Sequence, residues 1–359
     1  MTKRVYIIIT NFTRGWKHLI ECLESVYRID YPSYQVIVSD DCSEDGGLSY
    51  AKRWASGSLA VDLLETHPLR RFIIPAVPKP IEYVEFSDAD VTQTLALSPT
   101  ALLLIRSSLN RGFAGANNLG LKYALAGRDF DYVWLLNNDT VVEPQALSEL
   151  VTRMEERPDA GMCGSTLLYY HAPQVIQTLG GARFNRWTGI GRQLDKDRAL
   201  SDAHNPGWIE KKMDYVYGAS LLVSKGFIEN VGLMSEEYFI YFEELDWIRR
   251  ARGMFRLAYA PNSIVYHKVG VSIGGGYRPG FQDSTFSDYY YVRNMLRFTQ
   301  KFHPWAMPTV YGRLALMLLQ KMKCRQWTSA RIIPAIVFGR QVDLSRLKRT
   351  ASTGREKNG

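Results

Sequence analysis

The chain has 359 residues, of which 46% are hydrophobic and 22% charged, as in an ordinary globular protein with one large domain or two smaller ones. The net charge of +8 is uneven: residues 301–359 hold 12 Lys and Arg against 2 Asp and Glu and contribute +10, which leaves −2 for the first 300 residues. This distribution argues against nucleic acid binding by the main part of the chain.

Two further sequence features concern the compartment. The apolar run after Met1 is too short for a signal peptide, and no apolar stretch reaches the roughly 18 residues that cross a bilayer. Cys22, Cys42, Cys163 and Cys324 lie far apart and match no metal or disulfide spacing, which is typical of structural thiols in a reducing compartment. We therefore expect a cytoplasmic protein.

The first half of the chain alternates strands and helices. Strands are predicted over residues 5–10, 34–39, 102–106 and 131–136, and helices over 15–28 and 47–56; a glycine-rich turn over 110–120 enters a further helix that ends at about 126. This alternation predicts an α/β fold with a parallel sheet and right-handed crossovers. Residues 57–100 contain five prolines and no sustained period, so we interpret them as an insertion, with short strands at 70–74 and 81–86.

From about residue 160 the pattern favours short strands and loops of the antiparallel type. Later elements are predicted as an interrupted strand over 215–223, a helix over 243–252, short strands at 255–260 and 263–267, and a helix over 288–303. Residues 308–323 predict an amphipathic helix with apolar side chains at 310, 311, 314, 317, 318 and 322, and with Arg313, Gln320 and Lys323 on the other side. The last ten residues are expected to be disordered.

A polar triplet, Asn137-Asn138-Asp139, ends the predicted strand at 131–136. The carboxyl ends of strands are where open α/β sheets bind ligands. One carboxylate with amide oxygens beside it suits a hard divalent cation and, through it, a diphosphate. The alternative is a polar turn in which Asp139 caps the next helix.

Five stretches of the chain stand in a recognisable order. They are Thr10-Asn11, Asp40-Asp41-Cys-Ser-Glu-Asp-Gly, Asn110-Arg-Gly-Phe-Ala-Gly-Ala-Asn-Asn, Leu-Leu-Asn-Asn-Asp139-Thr, and Tyr-Phe-Glu-Glu244-Leu-Asp-Trp with a downstream Tyr-His267-Lys-Val-Gly-Val-Ser. Together they resemble the family 2 glycosyltransferases, most closely the rhamnosyltransferase-like bacterial enzymes of surface polysaccharide and glycolipid assembly.

The resemblance covers residues 4–300 and implies a GT-A-type α/β fold. We expect a mostly parallel central sheet flanked by helices, with a small antiparallel portion, over residues 1–300. A basic, amphipathic helical tail is expected over 301–359.

The resemblance also implies an inverting transferase that uses a nucleotide-diphosphate sugar with Mg²⁺ or Mn²⁺. Asp139 matches the last Asp of the family's DxD signature, which holds the metal, whereas Asn137 stands where the first Asp is common and would contact ribose or a metal-bound water. His267, with Gly270 and Ser272, matches the H-x-x-G-x-S stretch whose His completes the metal shell. A purely structural His is the alternative.

The family's general base lies in an acidic pair that corresponds here to Glu243 and Glu244. Alignment on the motif places the base at Glu244, with Glu243 as its competitor. The base would take the proton of the acceptor hydroxyl as that oxygen attacks the sugar. The alternative is that acids in a first turn only complement the helix dipole, as we expect for Asp246.

A further group of residues is assigned to the nucleotide sugar by the resemblance: Thr10, Asn11, Asp40, Arg111, Gly112, Phe113, Asn117, Asn137, Asn138 and Gly218. A carboxylate at position 40 would accept from the imino N–H of uracil or thymine, so UDP or dTDP is expected in preference to GDP. Gly218 is expected either near the sugar or in a close-packed strand bend.

Four other residues receive expectations of their own. Arg111 and Arg293 are expected to contact phosphate. Asp41 and Asp45 are expected to bond nearby backbone in their loop.

The expected function is sugar transfer to a hydroxyl of a glycan or lipid-linked acceptor, in polysaccharide or glycolipid biosynthesis. Residues 308–340 predict a peripheral contact with the inner face of the cytoplasmic membrane, or else a helix packed on the core with a solvated basic face. Two other classes stay open: a sugar-phosphate nucleotidyltransferase, whose glycine-rich signature fits residues 10–15 poorly, and a non-catalytic nucleotide- or carbohydrate-binding protein. The sequence leaves the oligomeric state unknown.

Overall fold

The fold follows from a computed structural model that describes residues 2–12, 15–44, 46–59, 61, 63–91, 102–200, 205–269, 285–340 and 342–343. The elements of the first half are β1 (Val5–Asn11), α1 (Trp16–Val26), β2 (Tyr34–Asp40), α2 (Gly47–Ala55), β3 (Tyr83–Ser87), β4 (Leu102–Arg106), α3 (Gly112–Gly127), β5 (Tyr132–Asn137), β6 (Thr140–Val142) and α4 (Ala146–Glu156). Those of the second half are β7 (Ala160–Tyr169), β8 (Ala172–Leu179), β9 (Gly181–Asn185), β10 (Ile190–Gln193), α5 (Pro206–Glu210), β11 (Tyr215–Val216), β12 (Ser220–Ser224), α6 (Lys225–Val231), α7 (Glu243–Arg250), β13 (Arg256–His267), α8 (Thr285–Phe302), α9 (Met307–Lys323) and α10 (Trp327–Val337).

A large mixed sheet forms the centre of the molecule. Within the described residues its order is β3-β4-β2-β1-β5-β12-β7-β13-β6, with β8 paired to β7. The strands β3, β4, β2, β1 and β5 are parallel, whereas β12 is antiparallel to both β5 and β7. A smaller antiparallel sheet contains β10, β9 and β11. The expected mostly parallel sheet with a small antiparallel portion is confirmed.

Both faces of the central sheet are covered, which explains why its strands are continuously apolar. Tyr6 and Ile8 of β1 point into a core that includes Leu119 and Tyr123 of α3. The alternate residues of β1 point into a second core with side chains of α1 and α2, such as Trp54. Because side chains alternate along a strand, one apolar run serves two layers of helices.

A third hydrophobic cluster joins the C-terminal helices to the rest of the structure. Phe298 of α8, Leu314 of α9 and Ile333 of α10 pack there with Phe184 and Phe242. Phe242 directly precedes α7, so the three last helices support the segment that enters α7. Among the described helices, none combines the length and apolar character needed to cross a bilayer.

The helix predicted over residues 308–323 is present as α9, but the rest of the structure covers only some of its apolar residues. Val310 and Leu314 are buried, but Tyr311 and Met322, which were expected on the same side, are each 43% exposed. At about 100° per residue Tyr311 and Met322 lie at one edge of the apolar arc, and this edge stays exposed. The helix has one apolar side toward the core and a second toward solvent.

Two expectations about strands also need correction. Residues 70–74 contain a one-turn 3₁₀ helix at Arg70–Phe72 instead of a strand. Phe72 and Ile73 are consecutive and enter the same core, which a helical turn permits and the alternation of a strand does not. The strands expected on either side of Pro261 form one strand, β13, with a register shift between Ala260 and Ile264.

A buried carboxylate holds the proline-rich segment against α1. Glu24 accepts hydrogen bonds from Trp54 Nε1 at 2.8 Å, Val77 N at 2.8 Å and Lys79 Nζ at 2.7 Å, and Arg28 lies 3.0 Å away. Burial by itself would raise the pKa of Glu24, but these donors hold it below its ordinary value. The carboxylate is therefore a stabilising anion at neutral pH.

We expect Glu24→Ala to lower the free energy of unfolding by about 3–5 kcal/mol, because it leaves the Lys79 and Arg28 cations with no buried partner. Urea denaturation at neutral pH would measure the loss. Since the pKa of Glu24 is lowered in the folded state, the stabilisation is complete above the unfolded pKa and disappears as the pH falls through the folded pKa.

The matched control is Glu229→Ala, which removes a surface pair with Lys225 at 4.0 Å. It should change stability by less than about 0.5 kcal/mol. Equal losses for the two variants would contradict the assigned role of Glu24.

Candidate functional site

A hydrogen-bonded relay connects the ends of three parallel strands. Asn138 Nδ2 donates to Asn11 Oδ1 at 2.8 Å, and Asn11 Nδ2 donates to Asp40 Oδ1 at 2.7 Å. The second oxygen of Asp40 accepts from Ser43 N at 3.2 Å and from Ser43 Oγ at 2.9 Å. These side chains lie at the C-terminal ends of β5, β1 and β2, so the structure brings Asn11, Asp40 and Asn138 together.

The start of α2 lies directly against this relay. A Cβ on Gly47 would overlap Asn11 Nδ2 and touch Asp40 Oδ1 at 3.1 Å. The helix can therefore approach the strand ends only because this position lacks a side chain. Thr10 is half-buried in the same strand as Asn11 and stands beside Asn137 in the ladder between β1 and β5.

Asp139 lies in the turn between β5 and β6 and is 2% exposed. No side chain among the described residues gives its Oδ1 a hydrogen bond of regular geometry, although His267 Nε2 is 3.2 Å away. Burial would raise the pKa of Asp139, but His267, His18 and Lys268 outweigh it and lower that pKa. The N-cap residue of α4 is Gln145 and not Asp139, so the alternative in which Asp139 caps the next helix is wrong.

Gln177 of β8 orients the imidazole of His267. Its Oε1 lies 2.9 Å from His267 Nδ1, and its side chain also hydrogen-bonds to Tyr217. With the Nδ1 proton donated to the amide oxygen, the lone pair of Nε2 faces Asp139 Oδ1. Two lone pairs at this distance repel each other unless a proton or a cation lies between them, and metal-binding histidines are oriented in this way.

These residues fit a divalent cation that binds together with a diphosphate. Asp139 and His267 offer one oxygen and one nitrogen, and Asn137 Oδ1 is also buried with no partner in the described structure. The described part of the chain contains no group of three or more His, Cys, Asp or Glu that could hold a metal. The remaining ligands would have to be phosphate and water oxygens. Gly270 and Ser272 lie outside the described residues.

The acidic pair opens α7 on the other side of the site. Glu243 is 2% exposed, and its Oε2 has no hydrogen-bond partner within the described structure. Glu244 is half-buried and accepts a hydrogen bond from the backbone N–H of Gly218. Burial raises the pKa of Glu244 to about 7. Burial and the neighbouring charge raise the pKa of Glu243 well above its ordinary range. A carboxyl group that titrates near neutrality in a cleft is a candidate general base.

Gly218 is required where it stands. A Cβ there would overlap the Glu244 carboxylate and approach the ring of Phe113 to 3.2 Å. Phe113 N donates to Phe239 O at 2.7 Å, and Asn117 Nδ2 donates to Phe113 O at 2.9 Å. Phe113 and Gly218 therefore lie against Glu244, while Asn117 closes the first turn of α3.

Tyr217 connects the two halves of the site. The charges of Glu244 and Asp139 add to burial in raising the pKa of Tyr217 to about 12, so the ring lies within electrostatic reach of both. Hydrogen bonds from Gln177 and Gln193 act in the opposite direction. Neither Tyr217 nor Gln177 carries a local motif, which is why the sequence did not indicate them.

Asp41 holds the glycine-rich turn before α3. Its carboxylate accepts from Arg111 N at 2.7 Å and Gly112 N at 2.8 Å, and burial raises its pKa to about 6. The expectation that it bonds nearby backbone is wrong, because these donors are 70 and 71 residues away. The guanidinium of Arg111 already pairs with Asp88 at 3.0 Å, and its contact with phosphate stays a prediction. Asp45 is outside the described residues.

The segment before α7 has a strained backbone. Three of the residues 239–242 have φ of +67°, +70° and +74°, although none is glycine. Such conformations cost about 1–3 kcal/mol each and persist only when other contacts enforce them. Asn294 of α8 is fully buried, and its Nδ2 lies 2.8, 2.7 and 3.0 Å from the carbonyl oxygens of Tyr238, Ile240 and Tyr241.

Neighbouring side chains support the same segment. Arg293 donates to the carbonyl oxygens of Glu237 and Tyr238 instead of lying free for the phosphate contact expected of it. Asp246 is fully buried and accepts from Arg250 Nε at 2.7 Å and Lys301 Nζ at 2.6 Å. Its role thus exceeds the helix-dipole effect that the sequence suggests.

We expect Asn294→Ala to lower the free energy of unfolding by about 2–3 kcal/mol, because it leaves buried carbonyl groups without donors. Thermal and urea unfolding would measure the change. Asn230→Ala is the control, since Asn230 bonds only Gly226 O on an exposed helix surface, among the described contacts. A loss at position 294 no larger than that at position 230 would contradict the role assigned to Asn294.

Comparison with known proteins gives a family match. The model described as Glycosyl transferase family 2 matches residues 6–67 and 87–218, more than half of the chain. The matched residues include Asn11, Asp40, Asp139 and Gly218, and the match ends before the acidic pair.

Two curated relatives match part of the chain. The low-salt glycan biosynthesis hexosyltransferase Agl10 of Haloferax volcanii is 26% identical over 148 residues, which are 41% of this chain and 45% of Agl10. Hyaluronan synthase 2 of Mus musculus is 24% identical over 165 residues, 46% of this chain and 29% of the synthase. The chain spans less than half the length of these relatives.

Two solved structures share the fold. The mannosyltransferase PcManGT from Pyrobaculum calidifontis, in complex with GDP-Man and Mn²⁺, has a TM-score of 0.51 at 17% identity over 94% of this chain and 87% of its own. GalNAc-T7 with UDP, GalNAc and Mn²⁺ has a TM-score of 0.50 at 14% identity over 82% of this chain and 48% of its own. At such identities the likeness concerns the fold alone, and it confirms the expected GT-A type.

Proposed function

The chain belongs to glycosyl transferase family 2, and from this premise we propose that it transfers a sugar from a nucleotide-diphosphate sugar to a hydroxyl group of a glycan or lipid-linked acceptor. The observation that carries the proposal is a pair of acidic centres, one buried and one half-buried, whose charges both raise the pKa of Tyr217. One is Asp139 with its unpartnered oxygen opposite His267, and the other is Glu244 against Gly218.

Asp139 and His267, with Asn137 beside them, would hold the divalent cation. When bound, Mg²⁺ or Mn²⁺ would neutralise the charge that develops on the leaving diphosphate. PcManGT and GalNAc-T7 were both solved with Mn²⁺, which supports the cation as part of the proposal. An amide at position 137 leaves the protein ligands with a single negative charge.

The relay of Asn138, Asn11 and Asp40 supports a nucleotide pocket at the strand ends, with Thr10 beside it. Asp40 accepts three hydrogen bonds in the described structure, whereas a carboxylate offers about four acceptor sites, so one is left for a nucleobase. We propose UDP or dTDP as the carrier in preference to GDP. The turn at Gly112 and Phe113 would approach the donor from the side of α3.

Glu244 is proposed as the general base. It would remove the proton of the acceptor hydroxyl while that oxygen attacks the anomeric carbon from the face opposite the diphosphate, and this inverts the configuration there. Glu243 is more deeply buried than Glu244 and is therefore the less accessible of the two carboxyl groups to an acceptor hydroxyl. We place this chemistry in polysaccharide or glycolipid biosynthesis on the cytoplasmic side.

The function is tested by incubating the protein with UDP-, dTDP- and GDP-sugars and either Mg²⁺ or Mn²⁺. We expect slow hydrolysis of a UDP- or dTDP-sugar that a chelator abolishes. Asp139→Asn should weaken Mn²⁺ binding at least about tenfold, because it removes the anionic ligand. Electron paramagnetic resonance would measure the binding.

The matched control for Asp139→Asn is Asp159→Asn, which alters an exposed Asp paired with Arg157. It should leave both Mn²⁺ binding and hydrolysis unchanged. Retention of both properties in Asp139→Asn would contradict the metal-binding role proposed for Asp139.

We expect Glu244→Gln to reduce sugar transfer about 10²–10⁴-fold while donor binding is retained, since only the proton acceptor is lost. In the unaltered enzyme the deprotonated carboxylate is the active form, so kcat/KM should rise as the pH increases through about 7 and then level off. Measuring kcat/KM from about pH 5 to about pH 9, a range that brackets this pKa, tests the assignment.

Glu243→Gln is the companion variant. Because burial, and not a charge on Glu243, raises the pKa of Glu244, this variant should leave the acidic limb of the pH profile of kcat/KM in place while activity persists. If Glu243→Gln abolishes transfer and Glu244→Gln does not, the base is Glu243.

A further inference from the structure

The solvent side of α9 is an extended apolar surface. Its exposed side chains are Tyr311 at 43%, Leu316 at 59%, Leu319 at 61% and Met322 at 43%. At about 100° per residue they fall, with the small residues Gly312 and Ala315 between them, within an arc of about 140°. A contiguous exposed apolar surface of this kind usually marks an interaction site, because the rest of a protein surface exposes apolar side chains singly.

Cations stand at the C-terminal end of the same surface. Lys323 and Arg325 are exposed, and the described residues provide neither with an ion pair. Lys301 and Lys321 differ, because they pair with Asp246 and Asp288 at 2.6 and 2.8 Å. Trp327 is the first residue of α10 and is 55% exposed. We call Tyr311, Leu316, Leu319, Met322, Lys323, Arg325 and Trp327 the α9 face.

We propose that the α9 face docks on the surface of an anionic lipid bilayer. A helix that lies in the interface buries leucine and aromatic side chains among the acyl chains while Lys and Arg meet the headgroup phosphates. Near an anionic membrane each such cation adds to the attraction toward the surface. The helix would remain folded on the protein through Val310 and Leu314 on its opposite side.

The charges favour lipid over a second copy of the chain. The sequence has no Asp or Glu from residue 289 to residue 342, so a second α9 face offers no carboxylate to Lys323 or Arg325. Headgroup phosphates provide the missing counter-charge along the whole surface. The proposal does not depend on sugar transfer, since it concerns residues outside the candidate site.

The full chain should be tested by sedimentation with vesicles of phosphatidylcholine alone and of phosphatidylcholine mixed in equal amounts with phosphatidylglycerol. We expect binding to the anionic vesicles that weakens about tenfold when salt shortens the Debye length. Leu316→Glu with Leu319→Glu should weaken this binding at least about tenfold, because two side chains can no longer enter the bilayer. Lys323→Gln with Arg325→Gln should weaken it about tenfold on anionic vesicles only.

The matched control is Leu64→Glu with Met254→Glu, which makes the same charge change at side chains that are 77% and 58% exposed elsewhere. It should bind vesicles like the unaltered chain. The composition and salt comparisons use the unaltered protein, so they test the proposal even if a variant is unstable.

Several results would overturn the proposal. These are absence of vesicle binding by the unaltered chain, equal binding to neutral and anionic vesicles, and equal weakening by the control pair. Self-association that Leu316→Glu with Leu319→Glu abolishes, without any vesicle binding, would show instead that the face joins two copies. Donor hydrolysis should be the same in these variants, so failure here is distinguishable from failure of the proposed function.

Discussion

The candidate site depends on the approach of Asp139 to His267 across 3.2 Å, which places an unsatisfied buried oxygen opposite a ring nitrogen. The two residues are far apart in sequence and are brought together by β6 and β13, whose pairing aligns Thr140 with His267. The backbone N–H of Lys268 donates to Asp139 O at 2.9 Å and fixes the turn itself. Burying a carboxylate oxygen without a donor is unfavourable, and a cation removes that penalty. The same arrangement that destabilises the protein alone would therefore create affinity for a metal and a diphosphate.

The position of the acidic pair depends on a strained backbone in the segment before α7. Positive φ angles before α7 turn the chain so that Glu243 and Glu244 enter the site at the start of the helix. Asn294 enforces that conformation from α8, at a distance from the chemistry. The bend at Gly218 then leaves room for the Glu244 carboxylate. Contacts from the C-terminal helices thus stabilise the strained segment, and this segment holds the two glutamates where burial raises their pKa values.

The third hydrophobic cluster relates the site to the α9 face. Phe242 stands at the entrance to α7 and packs in the same cluster as Leu314 of α9 and Phe298 of α8. One side of α9 thus supports the loop that carries the acids, while its other side is exposed to solvent. The two proposals are compatible, because a single helix would support the segment before the acidic pair and contact the membrane.

The sequence by itself determined the parallel core and the polar strand ends. Buried strands are recognisable from local composition, and Asn11, Asp40 and Asp139 directly follow such strands, so their meeting at one edge of the sheet could be predicted. The acidic pair was found through its motif. Only the tertiary structure revealed the roles of Gln177, Asp41 and Asn294, because their hydrogen bonds reach across 90, 70 and more than 50 residues and leave no local pattern. It also decided that α9 has two apolar sides, since periodicity shows where apolar residues lie on a helix but not which of them another element covers.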